Sequence, residues 1–340
     1  MSSVGTAGTG VVLGLLAVFG PAGTPGASQA ATRDYRFLVG KYCESGLEAV
    51  IGELLPARVR PSGALDTKTR AAAAAMHTEV LAALWQGETS LHPPGPHFRF
   101  ARDLVHGIGD DADHLASGWT LAMGYLLIAH LAFSLADDLF LEARQRFPRD
   151  AHILVAAGSL QEVYTQPIGR QFLGLQRGTG DNWRGEGRLK AVALYRQALA
   201  VEAKHAEAHL RLGRVSQVAG DSREARQQLE WVLTHGSHPW LTYLAHLFLG
   251  ELSEQEGRKA VAERHYERAT AAWPGAQTAA LALAALRVRS GAGPDALRSL
   301  GPRFDGSRGL AHRDPWLDYQ FANTDRFHAA LEAVRRRACQ

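Results

Sequence analysis

The sequence predicts an all-α solenoid built from pairs of antiparallel helices, and three observations lead to this fold class. The chain has 340 residues, of which 46% are hydrophobic and 21% charged, so it can bury a sizeable core and is unlike a disordered chain. Small residues recur at a fixed spacing through its C-terminal two thirds. Glycines separate the apolar helical stretches at matching positions, namely Gly220, Gly257 and Gly291, as helix stops do, and Asp221 after the first of them can cap the next helix. A net charge of +3 over this length also argues against a nucleic-acid partner.

The fixed spacing is 34 residues in its simplest form. In one example, Gly250 is followed after twelve residues by Ala262 and after four more by Tyr266. Two helices approach closely only where one side chain is small, so we expect each small residue to face the large residue of its own unit. The small residues that carry the spacing are Gly124, Gly158, Gly213, Gly250 and Ala284.

One unit contains an insertion. After Gly158, the matching residues Ala191 and Tyr195 come 21 positions late, and Gly213 follows Gly158 by 55 residues instead of 34. A single insertion at 165–187 restores the register of the array, with three extra residues at the turn between Gly213 and Gly250, which are 37 apart.

These units resemble tetratricopeptide repeats, a helix–turn–helix family of 34 residues. Ala136, Phe140 and Pro148 match the second helix and terminal proline of that family. The resemblance implies a right-handed α-solenoid and covers 117–303 in five units. Their bounds are 117–150, 151–205, 206–242, 243–276 and 277–303.

The flanking regions are assigned separately. Residues 1–30 contain the ten-residue apolar run 11–20, too short to span a bilayer and typical of a secretory signal peptide, so we expect export to a periplasm or the extracellular space. Residues 31–116 are expected to be helical, with a degenerate repeat and a loop rich in proline and histidine. Residues 304–340 are expected to form helices that cap the last repeat.

In the family that the units resemble, the first helices line a groove that holds a peptide or a partner helix. The resemblance therefore implies a non-catalytic adaptor with a protein or peptide partner, and no cofactor motif is found. The asparagine that clamps a terminal carboxylate in chaperone-binding members is replaced here, so that specificity is not expected. The predicted binding residues of the groove are Tyr125, Glu162, Arg211, Arg214, Gln217, Glu251, Glu254 and Arg289, joined by Phe172 and Trp183 of the insertion.

Two other functions remain open at this point. The first is a metal-binding protein or metal-dependent enzyme that uses the segment 92–114, whose candidate ligands are His97, His106, Asp110, Asp113 and His114. The second is a self-associating structural module, whose groove is filled by the insertion or by a second copy of the chain.

The two cysteines, Cys43 and Cys339, lie near opposite ends of the chain. Stacked repeats would separate them by far more than the distance of about 7 Å between α carbons that a disulfide allows. We therefore expect two free thiols or a bridge between two chains.

Overall fold

The computed structural model describes residues 35–54, 65–85, 95–166, 183–293, 314–320 and 324–340. Within these ranges the chain is helical and contains no β-strand, which confirms the predicted all-α solenoid. Short 3₁₀ turns occur at Leu47–Ala49 and Asp110–Ala112. The helices are α1 Tyr35–Ser45, α2 Ile51–Leu54, α3 Thr67–Trp85, α4 Pro96–His106, α5 Asp113–Ala129, α6 Phe133–Arg146, α7 Ala151–Tyr164, α8 Trp183–Val201, α9 Ala206–Ala219, α10 Ser222–His235, α11 Pro239–Gln255, α12 Lys259–Ala272, α13 Thr278–Arg289, α14 Pro315–Gln320 and α15 Thr324–Ala338.

The chain divides into two compact units. Unit 1 consists of Met1–Ala112 and Val334–Gln340, and unit 2 of Asp113–Ala333. The division coincides with the start of α5, four residues before the predicted first repeat. None of the described helices combines the length and the apolar character needed to cross a membrane.

Unit 2 contains the repeats, in which consecutive helices form the pairs α5–α6, α7–α8, α9–α10 and α11–α12, followed by α13. The expected contacts between small and large residues are present. A Cβ atom added to Gly250 would lie 2.5 Å from Cε1 of Tyr266, so only glycine allows these two helices to approach this closely. The equivalent distances are 2.2 Å from Gly124 to Phe140 and 2.8 Å from Gly213 to Leu229.

The second repeat keeps the same contact across its insertion. A Cβ atom on Gly158 would lie 2.4 Å from Cε1 of Tyr195, so the residue that comes 21 positions late occupies the expected place. Helix α8 begins at Trp183, which makes the last residues of the predicted insertion helical. The segment 167–182, with Phe172, lies outside the described residues.

The turn inside a repeat explains a second set of glycines. Gly220 has φ 90°, a left-handed conformation that residues with a side chain adopt only with strain. The next residue, Asp221, caps α10 by accepting a hydrogen bond from the backbone N–H of Glu224 at 3.0 Å. Gly257 occupies the same place in the next repeat, with φ 74°.

Unit 1 is built from α1 to α4, of which α3 and α4 pack against each other. Its five consecutive alanines, 71–75, are buried, which lets other helices lie close to α3. The last residues of the chain belong to this unit, and Cys43 and Cys339 form a disulfide with α carbons 5.4 Å apart. The prediction of free or intermolecular cysteines is therefore wrong. It assumed that the end of the chain extends the stack of repeats, whereas the chain returns to its N-terminal helices.

The C-terminal segment, defined here as residues 314–320 and 324–333 of unit 2, also differs from the predicted cap. Its first residue, Asp314, accepts hydrogen bonds from the backbone N–H groups of Gln277 and Thr278, at 2.9 and 2.7 Å, at the start of α13. Beyond this point, however, its side chains bind Glu162 and Glu207 in the second and third repeats. The segment therefore does more than cover the last repeat, because buried carboxylates further back in the array attract its tyrosine and arginine.

Candidate functional site

The predicted groove residues converge with the C-terminal segment on two buried carboxylates. Glu162, on α7, accepts hydrogen bonds from the hydroxyl of Tyr195, from Nη1 of Arg211 at 3.2 Å and from the hydroxyl of Tyr319 at 2.5 Å. Burial, followed by the charge of Glu162, holds the pKa of both tyrosines well above the usual value. The two hydroxyls therefore remain protonated and act as donors to Glu162.

The second carboxylate is Glu207, on α9. It accepts hydrogen bonds from Nε of Arg211 at 2.7 Å and from Nη1 of Arg326 at 2.6 Å. Burial alone would raise the pKa of Glu207, but the two guanidinium groups outweigh burial and hold that pKa well below its usual range. Because Arg211 is only 3% exposed and also lies over the ring of Tyr319, at 4.5 Å, it joins the repeats to the C-terminal segment.

Arg214 forms the adjoining part of this surface. It donates to Glu251 of the next repeat and, at 3.0 Å, to Oε1 of Gln217. Its guanidinium group lies 4.5 Å from the ring centre of Phe248 and 5.2 Å from that of Trp316. An arginine held between two aromatic rings and a carboxylate has little freedom to move, so this part of the groove is preorganised.

The remaining predicted residues contact the same surface or one another. Tyr125 faces the guanidinium group of Arg326 at 5.9 Å, which places the first repeat against the C-terminal segment. Glu254 accepts hydrogen bonds from Arg289 of the next repeat and from the hydroxyl of Tyr266 at 3.0 Å. The side chain of Trp183 lies outside the described residues, as does Phe172.

Trp316, Tyr319 and Arg326 also belong to this surface, although the repeat pattern does not predict them. A signal was available in the spacing of the two aromatic residues, which lie three apart and therefore share one face of α14. The predicted occupants of a self-filled groove are the insertion, of which 167–182 lie outside the described residues, and a second copy of the chain. The structure places the C-terminal segment against these groove residues.

A cleft remains open beside this segment. Its volume is about 360 Å³, and it is lined by helices of the second and third repeats together with α14. Glu162, which lines it, already accepts three hydrogen bonds, and Arg214 already binds Glu251. Arg188 has neither an ion pair nor a hydrogen bond within the described ranges, so the uncompensated charge of the cleft is positive. The lining residues are Glu162, Thr165, Gln166, Arg188, Arg214, Val215, Val218, Trp316, Tyr319 and Gln320.

The predicted metal ligands of 92–114 are used in other ways. His97 is buried in α4, and its Nδ1 lies 2.9 Å from Nδ1 of His77. Asp113 begins α5 and forms an ion pair with Arg146 at 3.4 Å. His106 ends α4, Asp110 begins a 3₁₀ turn and His114 follows in α5. None of the five belongs to a described group of three or more side chains whose ligand atoms lie within 4.8 Å of one another.

One group in the described part of the chain does have that spacing, namely His152, Glu202 and His205. Nδ1 of His205 accepts a hydrogen bond from the backbone N–H of Ala208 at 3.2 Å, so the proton of a neutral ring lies on Nε2. Nε2 then donates to Nδ1 of His152, at 3.1 Å. A metal at Nε2 would require the other tautomer, with a proton on Nδ1 facing the Ala208 N–H. The donor pattern therefore does not fit a metal ion.

No protein-family model and no curated protein matches the sequence. A structure of IFIT1, a monomeric mutant with Gppp-AAAA, aligns with a TM-score of 0.52 and 13% identity over 88% of this chain and 61% of that one. A human IFIT1 dimer with m7Gppp-AAAA aligns with a TM-score of 0.46 and 14% identity, over 90% and 62% of the two chains.

A thermophilic tetratricopeptide-repeat protein of Thermus thermophilus aligns with a TM-score of 0.45 and 15% identity, over 64% of this chain and 99% of that one. Of the length of the two IFIT1 chains, this chain covers about three fifths. At such identities the similarity shows the fold alone, and the fold is tetratricopeptide-like.

Proposed function

We propose that this protein is a non-catalytic scaffold that binds a protein partner at the inner surface of its repeats. The observation that carries the proposal is that this surface already holds a polypeptide, the C-terminal segment, through Trp316, Tyr319 and Arg326. Tryptophan, tyrosine and arginine are the side chains that most often carry the binding energy of protein interfaces.

The partner segment is proposed to bind in the cleft beside α14 and to be acidic. The charge of Glu162 is compensated by Arg211 and two tyrosine hydroxyls, whereas Arg188 is unpaired among the described residues. A carboxylate that enters the cleft would meet this arginine, while Trp316 offers an apolar surface for the adjoining part of the partner. Of the predicted groove residues, Arg214 lines the same cleft.

We also propose that the protein is exported. The predicted signal peptide, 1–30, lies outside the described residues. Support comes instead from the disulfide between Cys43 and Cys339, because structural disulfides persist mainly in oxidising compartments such as the periplasm and the extracellular space.

The binding proposal can be tested with fluorescein-labelled hexaglutamate and hexalysine peptides, measured by fluorescence anisotropy against the full chain. We expect saturable binding of hexaglutamate alone and a dissociation constant at least about tenfold weaker in Arg188→Glu. The matched control is Arg223→Glu on α10, which makes the same charge change at an arginine outside the cleft and should leave binding within about twofold.

Two outcomes would contradict this proposal. If both variants bind hexaglutamate equally weakly, the loss of binding comes from the change in net charge and not from the cleft. A capped oligoadenylate that binds in an Arg188-dependent manner, while hexaglutamate does not bind, would replace the protein partner with a nucleotide of the kind present in the IFIT1 structures.

A further inference from the structure

Three pairs of histidines contact each other through their ring nitrogens in the described part of the chain. Each pair joins residues from different helices or turns, and the nitrogens lie at hydrogen-bond distance. The pairs are His77 and His97 at 2.9 Å, His152 and His205 at 3.1 Å, and His246 and His265 at 3.1 Å.

Such a contact is stable only while at least one of the two rings is neutral. One neutral ring donates and the other accepts, so a single N–H lies between the two nitrogens. When both rings are protonated, the acceptor is lost and two positive charges are held about 3 Å apart, which is strongly unfavourable in a partly buried site.

The pair between α11 and α12 lies in cationic surroundings. His246 is 8% exposed, and burial, followed by the charges of His265 and Arg268, lowers the pKa of His246 from 6.5 to about 4. Burial also lowers the pKa of His265, to which Arg268 and Arg264 of α12 and Arg226 of α10 contribute. Every charged group that acts on the pair is thus cationic.

No carboxylate of the described residues acts on the pKa of either ring, although Arg226 itself pairs with Glu256 at 2.7 Å and with Glu230 at 3.9 Å. Glu263 and Glu267 of α12 are held by Arg287 of α13, at 2.7 and 2.8 Å. The pair of His152 and His205 differs, because Glu202 and Glu207 act on His205 and favour its charged form.

The third repeat provides a natural comparison. His209 precedes Gly213 by four residues, as His246 precedes Gly250, but its partner is Gln228, which occupies the position of His265. Nδ1 of His209 lies 2.6 Å from Oε1 of Gln228. An amide oxygen accepts equally well from a protonated ring, so the third repeat lacks the acid-sensitive feature of the fourth.

We propose that the contact between His246 and His265 is an acid-sensitive device, which opens the α11–α12 pair and releases the C-terminal segment when both rings are protonated. The link to that segment is Phe248, two residues after His246 on α11. Its ring centre lies 5.7 Å from that of Trp316 and 5.3 Å from that of Tyr319. Movement of α11 therefore removes the aromatic support of α14.

The direction of the pH effect on the closed state follows from proton uptake. The pKa of an unconstrained imidazole is about 6.5, whereas burial, followed by the charges of His265 and Arg268, lowers the pKa of folded His246 to about 4. The open state takes up protons first, so the closed state loses stability as the pH falls from about 6.5 toward 4.

Hydrogen exchange of the full chain, followed by mass spectrometry at pH 7.0 and pH 5.5, tests this proposal. After correction for intrinsic exchange, we expect the opening constant of α11 and α12 to rise about tenfold at the lower pH, with α10 changing little. His265→Gln, which reproduces the pair of the third repeat, should abolish the rise. Gln228→His, which reproduces the pair of the fourth repeat, should transfer the rise to α9 and α10.

Equal protection at both pH values in the native chain, or an unchanged rise in His265→Gln, would overturn the proposal. If His265→Gln fails to fold, Gln228→His decides, since an unaltered α9–α10 pair at pH 5.5 would show that paired histidines do not create the response. A rise spread evenly over all helices would assign the acid effect to global unfolding instead.

Discussion

The repeats of unit 2 and the C-terminal segment are held in place by different kinds of contact. In a repeat, Gly250 lies against Tyr266, only 16 residues further along the chain, and the contact is one of shape. In the C-terminal segment, Tyr319 binds Glu162 across 157 residues and Arg326 binds Glu207 across 119, and the contacts are buried hydrogen bonds and ion pairs. A packing change should therefore disturb one repeat, whereas the loss of a buried charge should disturb several.

The largest effect is expected from Arg211→Met. This side chain is 3% exposed and binds both Glu162 and Glu207, so its removal leaves two carboxylates short of their cation. Loss of one member of a buried ion pair costs about 3–5 kcal/mol of unfolding free energy. Urea denaturation followed by circular dichroism would measure this loss.

The matched control is Arg287→Met on α13. Arg287 also binds two carboxylates, but the side chains of Glu263 and Glu267 are 40% and 50% exposed, so we expect a loss below about 1 kcal/mol. Similar losses in the two variants would contradict the difference between buried and exposed pairs.

The next largest effect is expected from Cys43→Ser, which removes the covalent bond to Cys339 in unit 1. A native disulfide typically contributes about 2–4 kcal/mol. We expect faster hydrogen exchange in α1 and α3, with α9 to α12 unchanged. Reduction of the native chain should reproduce this pattern, and equal loosening of unit 2 would show that the two units do not respond separately.

A smaller effect is expected from Gly158→Ala. The new methyl group would lie 2.4 Å from Cε1 of Tyr195, and the ring is fully buried, so the helices must separate at a cost of about 1–3 kcal/mol. Thermal unfolding would show a lower midpoint. The control is Gly40→Ala on α1, where no described atom beyond the adjacent turns of its own helix lies within 4 Å of the added methyl group, and alanine should stabilise the helix by about 0.5–1 kcal/mol.

These two regions also differ in how much the sequence can predict about them. The repeats follow a period, and the reason for the period is physical, since a close helix contact needs a small residue at one place and a large one at another. Gly158 and Tyr195 could be paired for that reason despite the insertion. The positive φ of Gly220 and the cap formed by Asp221 are likewise local features that a short stretch of sequence specifies.

The candidate site could be predicted only in part. Arg211, Arg214 and Glu162 were expected on the inner surface because repeat positions define it, but their partners Tyr319 and Arg326 lie outside any period. A contact between residues more than one hundred positions apart leaves no local pattern, and the same holds for the disulfide between Cys43 and Cys339. Burial and exact pairing of charges depend on the folded chain as a whole.

The contact between Gly158 and Tyr195 has a consequence for protein engineering. These residues are 37 positions apart, whereas 16 positions separate their counterparts in the other repeats. Because the entropy of closing a loop grows only with the logarithm of its length, the additional 21 residues cost less than about 1 kcal/mol. The second repeat should therefore accept a reporter domain grafted between residues 166 and 183 while its two helices still meet.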